Sequence, residues 1–319
     1  MFMFMFMAPA GPAWAAGIRH RQERRTVRQE GAEQHWLGIG LTTASTVAYS
    51  TAGFFTRLVH IDPWTILFWR GSFAGLFIAC FIVWRYRRDT WAAARAIGLP
   101  GLAVASLSTL ATILFINAFR RTSVADVTII FATAPFVTAS LNWLWTGERE
   151  SWATLVASTG ALIGVIVMVG GAVMEGHLFG DLLAFGMTIC MALVMIIIRR
   201  HRDTPMLPAA CLSAFLCPLV VAPIARPGAV NSTDLLYLAL FGITQFGLGL
   251  LLLTLGARLI SATESALISA LEGPLAPLWV WLAFREIPSP ATLAGGTIVM
   301  IAVSAHILSS NRARTVPQG

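Results

Sequence analysis

Ionisable side chains within long apolar segments are the residues of this chain that could carry chemistry. Glu272 lies near the middle of one such segment, and helical spacing places Glu264, Ser265 and Ser269 on the same face. Pro274 follows closely, and because proline removes a backbone donor, we expect a kinked and polar site at that depth. A desolvated carboxylate there can bind a cation or exchange protons. The alternative is a structural carboxylate, paired with an arginine or hydrogen-bonded to neighbouring hydroxyls.

Other charged side chains within apolar segments have two interpretations each. Arg70 either has a structural role, extending to the interface beside Asp62 or pairing with an acidic residue, or points inward to bind a substrate carboxylate. Asp126 and Glu264 lie near the ends of their segments. We expect these two carboxylates to meet water, with a place on a solute or proton pathway as the alternative.

Neutral polar residues could orient a solute without charge. The candidates are Tyr49, Asn117 and Gln245, each of which could instead form a hydrogen bond between helices, worth about 0.6 kcal/mol on average. Aligning the two halves of the chain pairs Pro135 with Pro274 and Thr133 with Glu272. We therefore expect helix kinks at Pro135, Pro274 and Pro277, and a pathway that carries its carboxylate on one side only.

The composition of the chain predicts that lipid, and not water, surrounds most of the segments that hold these residues. Of 319 residues, 57% are apolar and 12% are charged, which no water-soluble fold could bury. All 22 basic residues are arginines, found mostly in short loops, so the net charge of +7 indicates membrane orientation and not a nucleic-acid partner. The four cysteines lie in apolar segments without a C-x-x-C pair. We therefore predict neither a metal site, nor a disulfide, nor a cofactor.

Apolar runs predict an all-α membrane protein with ten transmembrane helices. The predicted spans are 36–58, 64–84, 97–118, 124–145, 152–173, 180–199, 206–225, 235–256, 262–283 and 290–309. Residues 1–35 and 310–319 are predicted to be cytoplasmic tails, the first loosely ordered. With both termini inside, 16 arginines are cytoplasmic and five are external, as expected for a multi-pass protein of the inner (plasma) membrane.

The two halves of the chain, 36–173 and 174–309, repeat each other. Ala134-Pro135 and Gly273-Pro274 begin similar aromatic-rich segments that end at Glu148 and Glu286. Because each repeat has five predicted spans, an odd number, the two are expected to be inverted relative to each other. Inverted repeats share a cavity at mid-membrane that can open to either side in turn.

Together these features resemble the EamA branch of the drug/metabolite transporter superfamily over nearly all of 36–309. The likeness includes Arg70-Gly-Ser-Phe-Ala-Gly-Leu, the helices ending at Glu148 and Glu286, and Gly180-Asp181-Leu-Leu-Ala. It implies a ten-helix fold that transports small solutes, with amino acids, amines or related metabolites as substrates. Export is preferred over import by family analogy alone.

Sequence motifs bear on two other possible functions, an enzyme and a channel. The chain has no Gly-x-Ser-x-Gly, no His-Glu-x-x-His and no paired membrane aspartates, so an enzyme is not expected. No filter-like segment indicates a channel. Within transport, proton-coupled antiport through Glu272 and facilitated passage or import without coupling both stay open. The expected partners are a small solute and the lipid bilayer, and a homodimer is an open alternative.

Overall fold

The structure is a computed structural model that describes residues 13–119, 121, 124–147, 149–169, 178–285 and 290–315. Within these ranges it is all helical, as the sequence predicts. The helices are α1 (Ala13–Ser50), α2 (Ala52–Leu58), α3 (Pro63–Tyr86), α4 (Thr90–Arg95), α5 (Gly98–Phe119), α6 (Val124–Ala132), α7 (Ala134–Thr146), α8 (Trp152–Val169), α9 (Leu178–Arg200), α10 (Leu207–Val221), α11 (Ser232–Leu240), α12 (Leu248–Gly256), α13 (Ala262–Ser269), α14 (Glu272–Phe284) and α15 (Pro290–Thr315). A π-helix (Phe241–Gly247) joins α11 to α12.

Several helices are long and apolar enough to cross a bilayer. Within the described residues there are six, with two shorter apolar helices at Trp152–Val167 and Leu207–Val221. The six are Pro63–Arg95, Gly98–Phe115, Leu178–Arg200, Ser232–Gly256, Ala262–Phe284 and Pro290–Leu308. Their number and hydropathy make this a multi-pass membrane protein.

Helix α1 begins earlier than the sequence analysis predicts. A loosely ordered tail was expected over 1–35, but the chain is helical from Ala13 and runs without a break into the first predicted span. Residues 13–35 contain no proline and are rich in Ala, Arg, Gln and Glu, four residue types that favour helices. A helix that the bilayer already fixes at one end can therefore extend outward through them.

The packing of the helices joins the two halves of the chain. Helices α8 and α15 pack together, as do α3 with α10 and α7 with α13. Helix α5 packs on α9 and α10, and in the matching arrangement α12 packs on α1 and the π-helix on α3. If each span of one half is exchanged with the corresponding span of the other half, every pair of packed helices named here becomes either itself or another pair in contact.

Two spans are interrupted at corresponding places. The fourth predicted span consists of α6 and α7, separated by Thr133, and the ninth consists of α13 and α14, separated by Ala270 and Leu271. Pro135 begins α7 and Pro274 lies in the first turn of α14, where a missing backbone N–H is tolerated.

At Gly242 and Gly247 the π-helix lies so close to α3 that neither position has room for a side chain. A Cβ added at Gly242 would come within 2.7 Å of the Arg70 carbonyl oxygen and 2.8 Å of Phe73 Cβ. At Gly247 it would come within 3.0 Å of the Phe77 ring. Glycines at these positions therefore bring the wide turn into direct contact with the helix that carries Arg70.

Candidate functional site

Arg70 lies on α3 and extends its guanidinium between aromatic rings of the π-helix. Its guanidinium carbon is 4.6 Å from the Phe246 ring centroid and 5.4 Å from that of Phe241. The side chain is half-buried, and its buried Nε has no hydrogen-bond partner. Among the described residues, no carboxylate lies within 4.0 Å of it. The cation is thus stabilised by ring faces and keeps its donors available.

Glu272 is the first residue of α14, directly after the break in its span. It is half-buried and, in the described part of the chain, makes no side-chain hydrogen bond or ion pair. Its charge interacts with Arg70 and with Tyr49.

Tyr49 of α1 completes the group on the opposite side. Its ring packs on Gly249 of α12, where an added Cβ would come within 3.2 Å of the ring. Ser45, one turn earlier on α1, donates a 2.7 Å hydrogen bond to the Gly249 carbonyl. These contacts fix α1 against α12, and the charges of Arg70 and Glu272 act on the Tyr49 phenol.

Gln245 of the π-helix is the fourth member of the site. Its Nε2 donates to the Tyr49 carbonyl at 3.3 Å, while its buried Oε1 has no partner. An unsatisfied buried acceptor is costly, so the amide is suited to receive a donor from a solute. We refer to Tyr49, Arg70, Gln245 and Glu272 as the central cluster.

Three of the predicted polar residues donate side-chain hydrogen bonds to backbone carbonyls three or four residues earlier in the chain. Asn117 donates to the Ile113 carbonyl at 2.9 Å, and Ser269 donates to the Ser265 carbonyl at 2.9 Å. Thr133, at the break between α6 and α7, donates to the Ile130 carbonyl at 2.6 Å. No contact recorded for these three joins them to the central cluster.

Asp126, Glu148 and Glu286 complete the set of predicted acidic residues. Asp126 lies near the start of α6, and its side chain is outside the described part of the structure. Glu148 and Glu286 lie outside the described residues.

The predicted kink prolines occupy different surroundings. Pro135 is buried at the start of α7, near the Thr133 break. Pro274 and Pro277 are half-buried and line a groove of about 400 Å³ between α14 and α15. In the ninth span, the break at Ala270 and Leu271 comes just before Glu272, and Pro274 and Pro277 follow in the first two turns of α14.

Glu264 is largely buried, contrary to the expectation that its position near a span end would expose it to water. It is 8% exposed, and its Oε2 accepts the Ser261 N–H at 3.0 Å while the Ser261 hydroxyl accepts the Glu264 N–H, forming a capping box at the start of α13. Its Oε1 lies 3.7 Å from Nε2 of both His35 and His306. Helices α1 and α15 cover this end of the span, which spacing along one segment cannot reveal.

The aromatic partners of Arg70 were missed by the sequence analysis. Phe241 and Phe246 lie more than 170 positions from Arg70, and only the glycines at 242 and 247 hint at close packing there. Trp279 of α14 donates a 2.8 Å hydrogen bond from its Nε1 to the Ser50 hydroxyl. It joins α14 to α1 next to Tyr49.

The described helices carry a cation, a carboxylate and a phenol from both halves of the chain within one bundle of membrane helices. The chain belongs to the EamA-like transporter family, whose profile matches residues 36–170 and 178–307. This confirms the resemblance noted from the sequence. Members of this family are transporters, so the prediction that the protein is not an enzyme is also confirmed.

Two individual proteins are also similar to this chain. The chain is similar to solute carrier family 35 member G1 of Mus musculus, with 24% identity over 322 residues covering 93% of this chain and 83% of the relative. It is also similar in fold to a protein of known crystal structure, with a TM-score of 0.74 and 14% identity over 86% of this chain and 98% of the other. The protein is therefore a multi-pass membrane transporter of small solutes.

Proposed function

We propose that the protein is an alternating-access transporter in which the central cluster binds the solute. The observation that carries this proposal is the state of Arg70, an intramembrane cation with aromatic neighbours, a buried Nε without a hydrogen-bond partner and, among the side chains that the structure describes, no carboxylate within 4.0 Å. Charges inside a membrane are costly and are normally paired. A cation that the protein leaves unpaired is suited to a partner that comes and goes, namely an anionic group of the solute.

The proposed architecture is ten transmembrane helices in two inverted five-helix repeats. Each of the ten predicted spans overlaps a helix or consecutive helices, and within the described residues six helices are long and apolar enough to cross a bilayer. Exchanging the halves preserves the pattern of packing partners, which supports a two-fold relation between the repeats, and the odd number of five predicted crossings per repeat supports inversion. Inverted repeats with broken helices place a binding site at mid-membrane.

The proposed substrate class follows from the chemistry of the cluster. Arg70 can donate two parallel hydrogen bonds to a carboxylate, and Glu272 can accept from an ammonium group. Tyr49 and Gln245 add a hydroxyl and an amide oxygen for neutral polar groups. Metabolites that carry an acidic group, with or without an amine, such as amino acids, fit this arrangement best.

The proposed mechanism is proton-coupled export across the inner membrane with both termini in the cytoplasm. Glu272 is the coupling site, since a half-buried carboxylate without a fixed partner can gain and lose a proton as the cavity changes sides. The distribution of arginines, 16 against five, supports the orientation. Family analogy alone supports export.

The test is gradient-driven flux in proteoliposomes. The purified protein is reconstituted, a pH gradient is imposed, and accumulation of a mixed pool of amino acids and amines is measured for wild type and Glu272→Gln. A matched control is Asp203→Asn, which removes a carboxylate from an exposed turn after α9. We expect Glu272→Gln to lose the gradient-driven part of the flux and Asp203→Asn to keep it.

Two outcomes would contradict parts of this proposal. Full gradient-driven flux in a folded Glu272→Gln protein would exclude Glu272 as the coupling site. Flux that depends on neither the gradient nor the substitution would instead identify a facilitator without proton coupling, the alternative considered from the sequence.

A further inference from the structure

A second cavity lies away from the central cluster, at the end of the bundle where α9 ends and α12 leads into α13. It is a cleft of about 650 Å³ that α1 borders on the third side. The residues of its wall that matter here are Arg199 and Arg202 at the end of α9, Arg258 after α12, His35 of α1 and Glu264 of α13. We call it the arginine cleft.

Backbone contacts hold the arginines of the cleft together. Arg199 donates from Nη1 to the Arg258 carbonyl at 2.9 Å, which ties the end of α9 to the turn after α12. Arg202 donates from Nε to the Arg199 carbonyl at 3.3 Å. Three guanidinium-bearing residues from two segments distant in sequence therefore share one wall.

The cleft has an excess of positive charge. Among the side chains of its wall that the structure describes, Glu264 is the one carboxylate. Both of its oxygens are already engaged, Oε2 by the Ser261 N–H and Oε1 beside the imidazoles of His35 and His306. Arg202 is exposed and Arg258 is half-buried, so both can reach a ligand in the cleft.

We propose that the arginine cleft binds a phosphate-bearing anion. Planar guanidinium groups match the geometry of phosphate oxygens, and several of them around one recess favour a phosphate over a carboxylate. The cleft lies at the ends of membrane-spanning helices, where basic pockets bind anionic lipid headgroups. Five further arginines lie between residues 19 and 28, on the part of α1 that precedes the first predicted span.

The phosphate could belong to an anionic phospholipid or to a soluble organic phosphate. Both sources present the same chemistry to Arg202 and Arg258, so the experiment has an arm for each. The central cluster is not involved, because Tyr49, Arg70, Gln245 and Glu272 do not line this cleft. The proposal can therefore be tested independently of the transport mechanism.

The lipid arm measures retention of phosphatidylglycerol against phosphatidylcholine by native mass spectrometry of the detergent-purified protein. The test variant is Arg202→Gln/Arg258→Gln, and the matched control is Arg200→Gln. Arg200 is an exposed neighbour on the same turn, which lies over Trp145 at 5.9 Å and is not part of the cleft wall. We expect the double variant to lose about tenfold or more in affinity for phosphatidylglycerol and Arg200→Gln to be unchanged.

The soluble arm measures thermal stabilisation of the same proteins by inorganic pyrophosphate in lipid-free detergent. Stabilisation of wild type and Arg200→Gln but not of the double variant would support the cleft and identify a soluble phosphate as its ligand. A difference in the lipid arm alone would support the cleft and identify a headgroup. If neither probe separates the double variant from Arg200→Gln, the proposal is overturned. The single variant Arg202→Gln, at an exposed position, replaces the double variant if the latter does not fold.

Discussion

Glu264 and Glu272 lie on the same interrupted span, about two helical turns apart, yet their surroundings differ in every respect. Glu264 caps α13 and holds imidazoles of α1 and α15 at 3.7 Å. Glu272 begins α14, is half-buried, and makes no hydrogen bond in the described structure, while its charge interacts with Arg70 and Tyr49.

The difference teaches that an ionisable side chain within an apolar span does not by itself indicate function. A carboxylate whose oxygens are all engaged contributes to the fold, because moving it would break several contacts at once. A carboxylate left without fixed partners contributes little to the fold and is available to a solute or a proton. Substitutions should therefore separate the two residues, one affecting stability and the other affecting transport.

The largest effect should come from replacing the cation beside Glu272. Arg70→Lys keeps the charge but loses the flat guanidinium between the Phe241 and Phe246 rings, a contact worth about 2 kcal/mol when desolvated. We expect uptake at limiting substrate concentration to fall about thirtyfold or more, with an unchanged elution profile. Initial rates in proteoliposomes measure this.

The control for that substitution is Arg226→Lys, in the loop before α11. Arg226 is fixed through its backbone N–H, which donates to the Thr65 hydroxyl at 2.9 Å, and not through its guanidinium. Its replacement should leave transport unchanged. Equal rates for Arg70→Lys and wild type would show that the ring-flanked geometry is unimportant and that Arg70 has a structural role.

The next effect concerns stability and is expected at Glu264 only. Glu264→Gln removes the charge that faces the two imidazoles and weakens the bond to the Ser261 N–H, so the free energy of unfolding should fall by about 1.5 kcal/mol. Glu272→Gln should not lower it, because no fixed contact is lost. Denaturant titration in mixed micelles compares the two proteins. The same loss in both would contradict the distinction between them.

The smallest effect is expected at a third carboxylate, Asp62, which lies outside the spans and caps α3. It accepts the N–H groups of Trp64 and Thr65 at 3.1 and 3.0 Å. Slight burial acts to raise the pKa of Asp62, but the hydrogen bonds from Thr65 and Trp64 and the charge of Arg226 outweigh it and hold the pKa below its ordinary value.

A lowered pKa in the folded state means that Asp62 stabilises the protein above the pKa of the unfolded chain. That contribution is lost as the pH falls through the folded value. Asp62→Asn preserves the cap, so it should cost only about a few tenths of a kcal/mol at neutral pH. It should also remove this part of the acid sensitivity of unfolding. Unaltered acid sensitivity in the variant would assign the effect to other groups.

Much of the fold could be predicted from the sequence because the bilayer simplifies the problem. The apolar runs are helical over most of their described residues, since the backbone must satisfy its hydrogen bonds internally in lipid. Pro135 and Pro274 led to a prediction of kinks in the fourth and ninth spans, and the structure interrupts these two spans at Thr133 and just before Glu272. The start of α1 was not, because the run of Ala, Arg, Gln and Glu before residue 36 is polar, and hydropathy says nothing about whether a polar segment is helical.

The site was harder to predict than the helices that carry it. Glu272, Arg70, Tyr49 and Gln245 were all candidates, but nothing in the sequence brought these four together or distinguished Tyr49 and Gln245 from Asn117. What distinguishes them are long-range contacts, such as the Phe246 ring over Arg70 and the two imidazoles beside Glu264. A single sequence contains the residue types, but not the distances between segments far apart along the chain.

The π-helix at Phe241–Gly247 has a consequence for comparing the two halves of the chain as sequences. Its i→i+5 hydrogen bonding fits one more residue into a turn than an α-helix does. The third span, α5, has no such turn along its described length. An alignment that matches α5 to the eighth span without a gap is therefore one position out of register beyond the π-helix, so internal symmetry scores will underestimate how alike the halves are.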